Sequence, residues 1–366
     1  MNPDLLYQLS LTLLPQVGDV HAKILIQHYG TASAIFNAKL SSLEKIEGIG
    51  SVRARYIKQF NAFATAEKEI LFIRKWGIQP LFLTDTDYPQ RLLNCYDSPT
   101  LLFYKGTANL NASRMVGIVG TRSNTEYGKA FTEQLVADLQ DEDVCIVSGL
   151  AYGIDAHAHK AALKKGMPTV GVVGHGLDTI YPAANAVLAK EMVKEKGGLL
   201  SEFFSKTKPD KHHFPLRNRV VAGLCDALVV VETAVKGGSM ITAKLADAYN
   251  RDVFAVPGRT VDKQSEGCNY LIRSNKAQLL SGAAELVEVM GWADKKSTPR
   301  KQRELFIELS PDEKTLVHML QQKEAMDIDE INRCSGLSTS AVAAAILNLE
   351  LQTVVGSLPG KRYKLL

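Results

Sequence analysis

The chain has no cysteine pair with which to staple itself or to hold a metal. Its five cysteines, Cys95, Cys145, Cys225, Cys268 and Cys334, stand far apart, and no histidine cluster falls at metal-ligand spacing. A disulfide frame and a zinc site are therefore excluded as organising devices, and Cys145 and Cys225, beside strand-like runs, are expected to pack as small buried residues. No uninterrupted apolar run reaches membrane-spanning length, and Met1-Asn-Pro-Asp4 has neither the basic region nor the apolar core of a secretory signal. A reducing cytoplasm is the expected compartment, with no membrane partner. Charge of one sign is scarce too. A net charge of +4 over 366 residues tolerates nucleic acid without arguing for it, so the placement of charge has to decide. Two nucleotide fingerprints are also absent: Gly117-Ile-Val-Gly-Thr-Arg122 has the wrong spacing for G-x-G-x-x-G, and no Walker lysine motif occurs.

What is present is a repeated order of apolar run, glycine and helix. Met115 to Val119 ends in Gly120-Thr-Arg122, and a helical pattern starts at Thr125. Val144 to Val147 ends in Ser148-Gly149, and Leu150-Ala-Tyr-Gly-Ile-Asp155 leads into the next helix. Runs from Thr169 to Val173, Gly198 to Ser201, Asp226 to Val231 and Val253 to Val256 are apolar almost throughout, as expected of parallel strands covered on both faces. Strand then helix, repeated without hairpin signals, predicts the α/β class: an extended Rossmann-like, doubly wound parallel sheet over residues 111–291. At this length, with 46% apolar and 22% charged residues, two or three domains are expected.

Four parts are predicted. Residues 1–75 read as a helical, SAM-like module of two helix–hairpin–helix units, one turning at Leu13-Leu-Pro-Gln-Val-Gly18 and one at Ile46-Glu-Gly-Ile-Gly50. Such turns leave amides free for a DNA phosphate, with Arg53, Arg55 and Lys58 as counter-charge. A module that only closes its own core is the equal alternative. Residues 76–292 hold the core; its first pieces, Leu81-Phe-Leu83 and Leu101 to Tyr104, are expected against a sheet edge. Residues 293–309 read as a basic linker around Asp294 to Arg303. Residues 310–366 read as a winged helix, opened by a capping box of Ser310 and Glu313. Six basic residues there (Lys314, Lys323, Arg333, Lys361, Arg362, Lys364) meet seven acidic ones, and the helix aimed at a major groove has no Arg or Lys. Protein docking is favoured over duplex reading.

In a doubly wound sheet the loops after the strands share one edge, where ligands bind. Glycine turns and helix starts there can face an anion. The candidate phosphate or single-strand contacts are Gly120, Thr121, Arg122, Ser148, Gly149, Gly174, Gly176, Gly238 and Ser239, with Ser239 also a plausible helix cap. Tyr181 is a stacking platform or a turn filler, and Asn185 opens a helix at the same edge. Arg217 and Arg219 suit phosphate, since a guanidinium forks onto its oxygens. Internal pairing with Asp155, Asp178 or Glu232 stands as their alternative. Asp155 and Asp178 are expected to cap helices and hold loop geometry, and His157, His159 and His175 to be solvated or capping. No catalytic residue, metal ligand or cofactor site is predicted.

Six ordered blocks carry a resemblance: Gly117 to Arg122, Ser148 to Asp155, Gly176 to Pro182, Phe214 to Arg219, Gly238 to Thr242, and Val256-Pro-Gly258 with Gly267-Cys-Asn269. Over its whole length the chain resembles the DprA/Smf family of bacterial DNA-processing proteins. The resemblance implies a single-stranded DNA-binding recombination mediator rather than an enzyme. It would protect incoming strands in natural transformation, help load the RecA recombinase, displace single-strand-binding protein and dimerise through the Rossmann core. It also implies Arg122 as the strand-binding arginine, with Ser148, Gly149, Gly174 and Gly176 in loops whose backbone contacts phosphate. The chain departs from the family pattern at Ala183, where a basic residue is common, at Leu216, where an arginine is expected, and at Thr121, where serine is common. A reading from another class is a phosphoribohydrolase acting on nucleoside monophosphates, with Glu232 as its acid. The signature of that enzyme is reduced here to Lys236-Gly-Gly-Ser239.

Overall fold

Leucines and isoleucines spaced three and four apart give six N-terminal helices: α1 (Leu5–Thr12), α2 (Asp19–Tyr29), α3 (Ala32–Asn37), α4 (Leu40–Leu43), α5 (Gly50–Lys58) and α6 (Phe63–Trp76). The computed structural model describes residues 4–293 and 309–366, so the stretch from Asp294 to Arg303 lies outside the described residues. The apolar face of the six helices, including Leu9, Leu25, Ile35 and Ile57, is continuous with Phe82, Leu101 and Phe103. Helical module and sheet therefore fold as one unit, residues 1–279, and residues 280–366 form a second. The first hairpin is turned into that body. Asp19 accepts hydrogen bonds from the Thr100 backbone N–H and Oγ1, and Lys23 Nζ donates to the carbonyls of Leu93 and Cys95. At the second hairpin Arg53 donates to the carbonyls of Gln16 and Gly48, and Lys58 to that of Phe36, which leaves Arg55 exposed. Arg53 and Lys58 thus tie the module's own turns together, and Lys23 ties the first hairpin to the body.

The apolar runs of the core become strands: β1 (Gln79–Phe82), β2 (Leu101–Gly106), β3 (Arg114–Val119), β4 (Val144–Ser148), β5 (Thr169–Val173), β6 (Gly197–Ser201), β7 (Ala227–Val230), β8 (Asp252–Ala255) and β9 (Gln278–Leu279). They pair in the order β1-β2-β6-β5-β4-β3-β7-β8-β9. From β6 to β9 every neighbour is parallel, whereas β2 runs antiparallel to both β1 and β6 and extends the sheet at one edge. Every residue of β4, β5, β6 and β7 is buried, which explains why their sequences show no polar alternation.

The connecting helices are α7 (Gln90–Leu93), α8 (Glu126–Asp138), α9 (Ile154–Lys164), α10 (Ala186–Lys194), α11 (His213–Leu224), α12 (Gly238–Ala248) and α13 (Glu266–Arg273). The chain moves outward from β3 through β4 and β5 to β6, and α11 then carries it back to β7, on the other side of β3. The order reverses between β3 and β7, so a crevice is required above their carboxyl ends. Thr125 caps α8 by accepting from the Gly128 N–H, as its sequence suggests. Ser239 does not cap α12. The N-cap is Gly237, and Ser239 Oγ donates to Thr233 Oγ1 at 2.7 Å.

The second unit contains α14 (Ala283–Val289), α15 (Pro311–Gln321), β10 (Met326–Asp327), α16 (Ile328–Ser335), α17 (Thr339–Leu351), β11 (Val355–Leu358) and β12 (Arg362–Leu365). Its strands pair as β10-β12-β11 beside a core of Leu316, Leu320, Ile331, Val342, Ile346 and Leu349. The capping box of Ser310 and Glu313 is formed. Three helices and a small antiparallel sheet make this a winged helix.

Candidate nucleic-acid interface

The crevice at the β3/β7 reversal is an open cavity of about 450 Å³. Gly120, Thr121 and Arg122 after β3, Gly149 and Ala151 after β4, and Thr233, Ala234 and Gly237 to Ser239 after β7 form its walls, while α11 supplies Phe214, Arg217 and Asn218. Arg122 is exposed, with its guanidinium carbon 5.2 Å from the centre of the Phe214 ring. Phe214 in turn lies 6.0 Å from the half-exposed Tyr181 at a tilt of 35°. Tyr152, also exposed, borders the same adjoining cleft with Gly174 and His175. Lys211 adds a second exposed cation to the cavity lining. Arginine on an aromatic face keeps its in-plane N–H groups available for phosphate, and the neighbouring rings offer π-faces for bases.

Two glycines make the crevice possible. A Cβ at Gly149 would strike the Arg217 guanidinium and approach Asp155 Oδ2 to 2.6 Å. Gly153 has φ of +75°, and a Cβ there would press into the backbone of Thr121 and Arg122, so it lets the loops after β3 and β4 touch.

The helix starts are not the anion cradles that the sequence suggests. Glu232, 2% exposed, accepts from the Thr125 backbone N–H and hydroxyl and so fills the start of α8. Asp155, in the first turn of α9, accepts from the N–H groups of Gly149 at 3.1 Å and Ala151 at 3.3 Å. The Thr121 N–H donates to the Glu232 carbonyl. Carboxylates already satisfy these dipoles. The start of α12 is different: it has no side-chain cap, and Gly238 and Ser239 line the cavity. Positive potential at the crown therefore comes from Arg122, Lys211 and the start of α12.

The structure divides the sequence-derived candidates. Gly120, Thr121, Arg122, Gly149, Arg217, Gly238 and Ser239 line the cavity, and Gly174 and Tyr181 the adjoining cleft. Four others are internal. Ser148 Oγ donates to the Ile118 carbonyl, the Gly176 N–H donates to Thr207 O, and Asn185 Nδ2 donates to the carbonyls of Leu150 and Ala151. Arg219 is buried among Glu202, Asp19 and Asp97, none of them the partners expected. Burial opposes its charge, but Glu202 and Asp19 outweigh that and hold its pKa above the ordinary value. Arg217 is a floor residue. Its Nη1 donates to the carbonyls of Gly149 and Val172, and burial lowers its pKa against the pull of Asp155.

Two of the three histidines are structural rather than solvated, while the partly buried His157 faces Glu133 at 3.6 Å. His159 is fully buried, bonded through Nδ1 to Thr169 Oγ1, and burial depresses its pKa to about 3. His175 Nδ1 faces the Gly176 carbonyl, so its Nε2 is left to accept from the Tyr181 N–H. It holds the tyrosine loop. Asp178 accepts from the Lys206 N–H and holds a loop, as expected. Phe214, Tyr152 and Lys211 were not singled out as site residues. Phe214 stands inside a block that carries the family resemblance, where the charge of Arg217 and Arg219 marks the arginines and nothing marks the ring.

Comparison with known proteins agrees with this architecture. Residues 79–291 match the family described as DNA recombination-mediator protein A, residues 299–361 the DprA winged helix domain, and residues 5–70 the helix-hairpin-helix motif. The chain is 33% identical over 401 residues to Protein Smf of Synechocystis sp., covering 99% of each. It superposes on the X-ray structure of DNA processing protein A from Streptococcus pneumoniae with a TM-score of 0.66 at 34% identity, covering 77% of this chain and 95% of that one. For DNA processing protein A from Helicobacter pylori, whose structure is described for its single-stranded DNA binding mode, the TM-score is 0.52 at 32% identity, covering 57% and 94%. Helical hairpins, Rossmann-like sheet and winged helix in this order define a DNA-processing recombination mediator. The chain belongs to the DprA/Smf family.

Proposed function

We propose that the crown cavity seats a single strand of DNA, gripping phosphate with Arg122 and Lys211 and base faces with Phe214, Tyr181 and Tyr152. The observation that carries this reading is the exposed guanidinium of Arg122 over Phe214 at the mouth of an open cavity. The single-strand binding mode named for the Helicobacter pylori relative supports it. Base edges stay unread, so binding is sequence-tolerant and salt-sensitive. On this reading the chain works in the cytoplasm as a homodimer joined through the sheet. It shields incoming strands during natural transformation, displaces single-strand-binding protein and passes the strand to a RecA-type recombinase.

No bond is made or broken in this reading. The rival hydrolase needs a carboxylate free to meet a ribose, and Glu232 is buried and engaged by Thr125. Fluorescence anisotropy with labelled oligonucleotides of several sequences tests the proposal: Arg122→Ala is expected to weaken all of them alike. Steady release of base from AMP, lost in Glu232→Gln, would establish the hydrolase instead.

A further inference from the structure

The side of the molecule away from the crown carries an aromatic and cationic stripe that the crown does not use. It lies on α6. Lys68, Leu71, Phe72, Lys75 and Trp76 follow i, i+3, i+4, i+7, i+8 spacing and so share one helix face. Leu71 is 64% and Trp76 50% exposed, although a packed helix should turn such residues inward. Lys75 Nζ and Lys105 Nζ, the latter on β2, each stand 5.5 Å from the centre of the Trp76 ring. Of the two acids on α6, Glu67 is exposed and Glu69 is buried.

The fold connects this stripe to the crown. Lys105 pairs with Leu199, the middle residue of β6. Glu69, two turns before Trp76, accepts from the Ser205 N–H at 2.9 Å and hydroxyl at 2.6 Å, in the loop that follows β6. That loop exposes Lys206 and Lys208 and leads to Lys211 in the cavity wall. Cations thus run from the cavity along the loop, down α6 and onto β2, ending at an open indole. A half-exposed indole beside two ammonium groups offers a polyanion with stackable rings both halves of what it needs.

We propose that a single strand leaving the crown continues along α6, with its phosphates beside Lys68, Lys75 and Lys105 and a base stacked on Trp76. The proposal rests on the crown reading for where the strand comes from, but its test separates the two. The full chain has two tryptophans, and Trp292 is 5% exposed, so a base that reaches an indole reports on Trp76. Oligothymidylates of increasing length are titrated while anisotropy and tryptophan emission are followed together. Short strands are expected to bind without an emission change, and longer ones to quench it. Trp76→Ala is expected to lose the quench and to bind long strands about tenfold more weakly, with short-strand affinity kept. Lys75→Gln with Lys105→Gln is expected to weaken long strands while retaining part of the quench. A length-dependent gain alone does not decide, since a second copy of the chain would produce one; the emission change does. Long strands that bind tightly with unchanged emission, or equally well to Trp76→Ala, overturn the proposal. If Arg122→Ala leaves short-strand binding intact, the crown reading fails while the quench still tests α6.

Discussion

At the crown, an exposed arginine lies over a phenylalanine beside a second cation and two tyrosines. On α17, the helix that a winged module would offer to a major groove, the exposed residues are Thr339, Ser340, Ala343, Ala344, Leu347, Asn348 and Leu351. Both are places where a backbone of this kind meets nucleic acid in other proteins. They differ in what the side chains supply. The crown offers phosphate forks and ring faces, whereas α17 offers methyl groups and no cation, a surface suited to protein. The fold makes the opening, and the side chains decide what fits it. The crown repeats the lesson on a smaller scale: two of its helix starts have the geometry to bind an anion, and the protein's own Glu232 and Asp155 already fill it.

The largest expected effect separates stability from binding at neighbouring arginines. Arg219→Met leaves Glu202, Asp19 and Asp97 without their cation and should cost roughly 3–5 kcal/mol in urea denaturation, as breaking a buried ion pair does. Loss of strand affinity without loss of stability would move Arg219 into the site. Phe214→Ala removes a ring face and a seat for Arg122, and should weaken single-strand binding about tenfold while keeping most of the salt dependence. Unchanged affinity would reduce the crown to a purely ionic surface. The pH dependence is smaller. His159 is neutral in the fold, with a pKa of about 3, so the unfolded chain binds the extra proton. Its contribution is complete above the ordinary histidine pKa and is lost as pH falls below about 6.5, by up to roughly 1.4 kcal/mol per unit. Burial raises the carboxyl groups of Asp155 and Glu202 and acts in the opposite sense. The readout is therefore the difference in slope between parent and His159→Gln, and identical slopes would contradict it. The smallest effect sharpens the comparison from the other side. Leu347→Lys on α17 should change neither single-strand affinity by more than about twofold nor stability by more than about 0.5 kcal/mol. A large loss of affinity would make that face part of the strand's path.

The sheet was legible because burial on both faces removes polar residues from β4 to β7, and glycines follow β3, β4 and β5 directly. The crevice followed from topology. Arg219 was not legible, because its partners Asp19, Asp97 and Glu202 come from three separate segments of the chain. The filled helix starts were half visible: an acid such as Asp155 in a first turn competes with any phosphate there, and Glu232 reaches α8 from a different strand's loop. Phe214 is not legible as a site residue because a lone phenylalanine beside proline has no periodic signature. Its role depends on Arg122 arriving from another loop.

The most direct test is the salt dependence of single-strand binding by the full chain and by Arg122→Ala, plotted as log affinity against log salt. Loss of one phosphate contact should lower affinity roughly tenfold and reduce the slope by about 0.7. Coincident lines for the two proteins would contradict the crown as the seat of the strand.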